Sequence, residues 1–221
     1  MEPKKSLIFD KTKFVQVTQG FVTPPRSKIV KQSLSTVKEC INSAIFMASQ
    51  IELVEHCLST VRPESVRPAF FRASLSELIR IEDFLTDHEL PNFYKSNDPT
   101  LHLIKLLRNY QVHVAATELR SGRISVKLSG EEMTYYSFIA KNVSAIELQE
   151  LRSAKAYSFE QLNELAMLFD SEQRKFGVVQ LLYYIAMRVE EYAIYSLTNQ
   201  KRAIKRSSMQ EGPCQQSTKS E

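Results

Sequence analysis

The 221-residue chain holds no tryptophan, five glycines, eight prolines and three cysteines, and each shortage removes a class of protein. Turn-forming residues are too sparse for an all-β sandwich, which needs a turn signal every ~8–12 residues. Glycine is also too scarce to build a phosphate-cradling loop, and neither GxGxxG nor GxxxxGK[ST] occurs. Cys40, Cys57 and Cys214 are odd in number and far apart, with no CxxC pair and no Cys/His spacing of a zinc site. That usage is expected of reduced thiols in a cytosolic protein. No HExxH is present. Glu52, Glu55 and His56 fall close together, and Glu131-Glu132 and Glu190-Glu191 are doublets, yet the Glu-x-x-His pattern of a di-iron bundle is missing. No metal or cofactor is expected.

Long apolar runs are lacking too. A membrane span needs ~20 such residues, and VVQLLYYIAMRVEEYAIYSL, the nearest approach, is broken by Arg188, Glu190 and Glu191. MEPKKSLIFD has no apolar stretch of secretory-signal length. The expectation is a cytoplasmic protein with no membrane partner.

What the chain does have is helical periodicity. Residues 1–30 read as an N-terminal arm or short strand ending beyond Pro24-Pro25. From Lys31 to about Thr60, Leu34, Val37, Ile41, Ala44, Ile45, Ala48, Ile51, Val54 and Leu58 recur at three- and four-residue spacing. Pro63 and Pro68 bracket a turn. A second helix carries Phe70, Phe71, Leu75, Leu78, Ile79 and Phe84, and stops before Pro91. Asp98-Pro99 is a helix-start signal, a capping carboxylate followed by a proline suited to the first helical position. The third helix is predicted over 99–119, ended by Ser121-Gly122. A β-hairpin follows at about 123–140, then a short amphipathic stretch at 146–151. Ser158 with Gln161 forms a capping-box signal for a helical region reaching Leu197, broken near Gly177. Residues 199–221, rich in Lys, Arg, Ser and Gln, are predicted to be a disordered tail. The fold class is mainly α: a bundle of four to five helices over 31–198 with a small inserted hairpin.

Formal charge is +4, part of it from Lys201, Arg202, Lys205 and Arg206. A modest positive balance suits a polyanionic partner without requiring one. The third helix is more specific. At about 100° per residue, His102, Lys105, Asn109 and His113 fall within about 80° of one another, a single polar stripe. The simplest meaning of such a stripe is the solvated side of an amphipathic helix.

The order Arg108-Asn109-x3-His113, preceded by Leu106-Leu107 and set in a helical chain, resembles the motif of the HEPN superfamily (higher eukaryotes and prokaryotes nucleotide-binding). The resemblance implies a compact helical bundle, often dimeric, and a metal-independent ribonuclease in many members, some acting as toxins or in phage defence. It therefore implies RNA as substrate, a homodimer, and an antitoxin or defence-system partner. The inserted hairpin and N-terminal arm depart from a minimal bundle. The chemistry is coherent with the residue types. Attack of a 2′-hydroxyl on the adjacent phosphate needs proton transfer, which histidine performs near neutral pH. It also needs charge stabilisation at phosphorus, which a guanidinium supplies. His113 is thus the candidate acid/base, Arg108 the charge stabiliser and Asn109 the orienting group, with His102 and Lys105 as candidate phosphate contacts. Two alternatives stay open. One is a non-catalytic HEPN-like binding or dimerisation module; the other is an unrelated helical protein-interaction domain.

Overall fold

The computed structural model describes residues 8–57, 63–113, 117–128, 131–141 and 143–210. It is a mainly α structure with one two-stranded sheet. The α-helices are α1 (Ser35–Cys57), α2 (Pro63–Asp87), α3 (Pro99–His113), α4 (Ala145–Gln149), α5 (Phe159–Phe176) and α6 (Val178–Gln210), with strands β1 (Leu119–Leu128) and β2 (Glu131–Ala140) between α3 and α4. The apolar periodicity of the sequence becomes one continuous core. Val37, Ile41, Ala44, Ala48 and Ile51 of α1 meet Phe71, Leu75, Leu78 and Ile81 of α2 and Leu182, Ile185 and Val189 of α6. Burying each such side chain fully contributes about 1.5–3 kcal/mol, so this interface dominates stability. Among the described residues, no helix is long and apolar enough to cross a membrane.

Several local rules hold as the sequence implies. Asp98 caps α3 by accepting from Thr100 N at 2.9 Å, and its other oxygen accepts from Arg188 Nε at 2.6 Å. The Ser158–Gln161 capping box opens α5. Gly177 separates α5 from α6 at φ +88°, and an added Cβ there would collide with the Ser137 side chain, so only glycine fits.

Four expectations are corrected. Pro68 does not mark a turn; it lies inside α2, where its ring removes one early backbone bond that neighbouring packing offsets. The third helix stops at His113 rather than at 119, because residues from Leu119 are taken by a ten-pair antiparallel ladder running from Leu119↔Ala140 to Leu128↔Glu131. Ser121-Gly122, expected to end a helix, sits within that ladder. Glu190, one of the glutamate doublet, is buried and accepts from Ser27 Oγ at 2.5 Å and Lys28 N at 2.9 Å. Finally, the helical backbone of α6 runs through 199–210, where the tail was expected to be disordered; Lys, Arg, Ala and Gln are good helix formers and no Gly or Pro intervenes before Gly212. The remainder of that predicted tail, 211–221, is outside the described residues.

Among its described residues, 8–30, the N-terminal arm forms no strand. Its backbone donors are met by side chains: Val15 N by Thr100 Oγ1 at 3.1 Å, Val17 N by Glu172 Oε2 at 2.8 Å and Phe21 N by Gln180 Oε1 at 2.8 Å. An extended segment satisfied in this way has no need of a sheet neighbour.

Candidate functional site

Helix α3 is buried on most of its circumference: Leu101, Leu103, Ile104, Leu106, Leu107 and Tyr110 are all in the core. The polar stripe therefore does not form a wet face. Its four members meet four different surroundings, changing steadily from one end of the helix to the other.

His102 is fully enclosed. Its Nδ1 lies 2.7 Å from Tyr157 Oη and its Nε2 2.9 Å from the Ser96 carbonyl, so both ring nitrogens have partners. The Phe9, Tyr94 and Tyr157 rings surround it. Desolvation holds its pKa below the ordinary value, which favours the neutral ring. With no accessible nitrogen, His102 is a core histidine and not a phosphate contact; that expectation is corrected. Lys105, one turn on, donates to Glu82 at 2.9 Å and sits 3.7 Å from the centroid of Tyr94. Glu82 is buried, so the lysine neutralises an interior carboxylate and is not available as a substrate contact either.

The second half of the stripe differs. Arg108 and Asn109 are half-buried, and His113 ends the helix exposed to solvent. Arg108 Nη1 donates to Asn109 Oδ1 at 3.2 Å, and Asn109 Nδ2 donates to Ser153 Oγ at 3.1 Å. The Arg108 Nε–H is enclosed and has no partner among the described residues. An unmet charged donor of this kind costs about 1–3 kcal/mol and calls for an explanation. The helix end is fixed by buried Gln111, whose Oε1 accepts from Thr117 N at 2.9 Å and whose amide nitrogen donates to Thr117 Oγ1. His113 is exposed.

The structure thus keeps Arg108 and Asn109 in direct contact, with His113 one turn beyond, and separates all three from His102 and Lys105. It also adds residues that the sequence does not single out. Ser153 belongs to a 3-10 turn, Arg152–Ala156, packed against α3. Arg152 and Lys155 flank it, both exposed and without ion-pair partners among the described residues. The contact joins residues 44 positions apart and has no local signature in the sequence. Tyr110 extends the same neighbourhood, its hydroxyl donating to Glu147 Oε1 at 3.2 Å, with burial raising its pKa. Exposed Val112 and Ile146 lie beside these polar groups in sequence.

No family model matches the chain, and no curated protein or solved structure matches it either. The arrangement has to be interpreted from its own chemistry. It is a solvent-exposed imidazole next to an anchored guanidinium–amide pair, bordered by two cations with no ion-pair partner among the described residues. Such a set can bind a phosphodiester and move a proton near it.

Proposed function

We propose that the chain is a metal-independent endoribonuclease, similar in its motif to HEPN ribonucleases and acting as a homodimer. The observation that carries this reading is the Arg108–Asn109–Ser153 hydrogen-bond chain, which holds a half-buried guanidinium at the end of α3 where His113 is exposed. The enclosed Nε–H is not the substrate contact; the terminal nitrogens of the guanidinium are the donors suited to a phosphate oxygen. His113 accepts the 2′-hydroxyl proton or protonates the 5′ leaving oxygen. Arg108 stabilises the charge that develops on phosphorus. Asn109 holds the guanidinium, and Ser153 holds Asn109. Arg152 and Lys155 take over as phosphate contacts the part that His102 and Lys105 cannot play. One histidine serves only one of the two proton transfers, and a two-fold partner supplies the second. Exposed Val112, adjacent to His113, and Ile146, adjacent to Glu147, give that interface apolar area.

The test is cleavage of labelled single-stranded RNA in excess chelator by the wild type and by His113→Ala. Products ending in 2′,3′-cyclic phosphate from the wild type alone are expected. A second reading, a non-catalytic nucleic-acid or dimerisation module, draws on Asn109 already being engaged by Ser153. Retention of RNA binding with no cleavage by the wild type over a panel of RNAs would select it.

A further inference from the structure

The arm, α1, the β-hairpin, the end of α5 and the start of α6 border an open cleft of about 570 Å³. Aromatic residues line it: Phe21 from the arm, Phe176 from α5, and Tyr135 on one face of β2 with Tyr136 and Phe138 on the other. Arg123 and Arg67 already lie over the Tyr136 and Phe138 rings, so Phe21, Tyr135 and Phe176 are the rings left to meet a ligand. One carboxylate, Glu52 of α1, opens into it. Its one hydrogen bond is from Ser137 Oγ at 3.4 Å, a long contact, and no cation among the described residues lies within ion-pair distance. Arg67 donates to the Ile51 carbonyl at 3.1 Å and places its guanidinium carbon 4.2 Å from the Phe138 centroid.

We propose that this aromatic-lined cleft is a binding site for an organic ammonium group, with Glu52 as its counter-ion. Three observations fix the chemistry. Ring faces attract cations, the more strongly when the cation is weakly hydrated and alkylated. The carboxylate has no partner of its own charge-neutralising kind, so a bound cation relieves it, whereas a phosphate would be repelled. The rim carries exposed Val22 and Met133, apolar surface suited to alkyl substituents and not to a hydrated metal ion. The volume also falls within the ~300–1,000 Å³ of small-molecule pockets. Desolvation by the surrounding protein holds the Glu52 carboxyl above its ordinary pKa, which is what a matching cation would reverse.

Gly177 admits Ser137 against the α5–α6 junction, so β2 is anchored there with Ser137 within reach of Glu52. Gln173 reinforces the anchor by accepting from Ala140 N at 2.8 Å and donating to Ala140 O at 2.9 Å.

Choline and its neutral isostere 3,3-dimethylbutan-1-ol are the discriminating probes, titrated into the full-length protein. Binding is read from amide chemical shifts over residues 133–138 and from tyrosine emission, which no tryptophan obscures. Choline is expected to bind and the alcohol at least tenfold more weakly. Glu52→Gln, which can still accept from Ser137, is expected to weaken choline at least tenfold with an unchanged circular dichroism spectrum. Phe176→Leu is expected to weaken it by a smaller factor. A short peptide containing trimethyl-lysine separates the sources: tighter binding than choline identifies a protein side chain, equal binding a free amine. Equal affinity for choline and the alcohol, no effect of Glu52→Gln, preference for a nucleotide over choline, or no binding at all would each overturn the proposal. None of these readouts depends on RNA cleavage.

Discussion

The two ends of α3 carry the same kinds of side chain and hold them in opposite states. At the N-terminal end, His102 and Lys105 are enclosed, and every donor that matters is matched within the fold. At the C-terminal end, His113 is exposed, and Arg108 and Asn109 are half-buried, Arg108 held by Asn109 and Asn109 by Ser153. A helical wheel groups His102, Lys105, Asn109 and His113 on one face, with Arg108 well to the side of it. What separates them is tertiary: the arm, the loop before α3 and Tyr157 close over one end, while a short 3-10 turn borders the other, its two cations without ion-pair partners among the described residues. Residue type and spacing place a polar stripe; the cover around it decides which part can meet a substrate.

The sharpest way to break this contrast is at the two histidines. His113→Ala is expected to lower RNA cleavage by about 10²–10⁴-fold, the usual contribution of a positioned acid/base. Its unfolding free energy should stay within about 0.5 kcal/mol of the wild type, since the residue is exposed and has no hydrogen-bond partner among the described residues. His102→Ala reverses the pattern. It removes a buried ring and strands Tyr157 Oη and the Ser96 carbonyl, at a cost of about 2–4 kcal/mol in stability. For a chain of this size that is a fall in Tm of about 5–15 °C. If the two substitutions had matching effects on cleavage and on Tm, the division of the stripe would be wrong.

Acidification probes the enclosed end alone. Burial depresses the folded-state pKa of His102 below its ordinary 6.5. The unfolded chain therefore binds this proton more readily than the folded one as pH falls through that value. The stability tied to neutral His102 is complete above about 6.5 and is lost progressively below it, toward the depressed pKa. Denaturant midpoints measured from pH 7.5 to 5 should fall in the wild type and fall less steeply in His102→Gln.

How much of this was legible in the sequence depends on the range of the interaction concerned. The core faces of α1 and α2, the Asp98 cap, the Ser158–Gln161 box and the break at Gly177 all follow from local patterns, and they are present. The end of α3 was misplaced by six residues because cross-strand pairing with β2, which begins 12 residues after Leu119, overrides local helix preference there. Within the candidate site, Arg108, Asn109 and His113 could be named from their order. The burial of His102, the Lys105–Glu82 pair and the role of Ser153 could not, because each rests on a contact to a distant segment. Composition failed at 199–210 for a different reason: a charged, polar segment can be helical without burying much, and polarity alone does not distinguish the two.

Two lysines sharpen the comparison at smaller effect. Lys105→Met keeps the alkyl stem against Tyr94 but leaves buried Glu82 without its cation, and is expected to cost about 1–3 kcal/mol by urea unfolding. Lys155→Met removes an exposed charge with no ion-pair partner among the described residues and should change stability by less than about 0.5 kcal/mol. Only the second should alter nucleic-acid affinity, reducing the slope of log K against log salt by about one. A salt slope lowered by Lys105→Met and untouched by Lys155→Met would place the phosphate-contacting end of the stripe at the wrong end.

The smallest effect tests the one residue that belongs to both regimes. Asn109 is anchored like the enclosed residues and borders the substrate side like the open ones. Ser153→Ala removes its anchor and one half-buried hydrogen bond, at about 0.5–1.5 kcal/mol of stability. If Asn109 positions Arg108 for catalysis, the loosened amide lets the guanidinium wander. Cleavage should then drop several-fold in Ser153→Ala and further in Asn109→Ala, with the double substitution no worse than Asn109→Ala alone. Ser153→Thr, which keeps a hydroxyl on the same atom, should restore most of the loss. If instead both single substitutions lower Tm and leave the cleavage rate per folded molecule unchanged, Asn109 groups with His102 as a structural residue. The open end of α3 would then consist of Arg108 and His113 alone, and the orientation of the guanidinium would have to come from the substrate or from a second subunit.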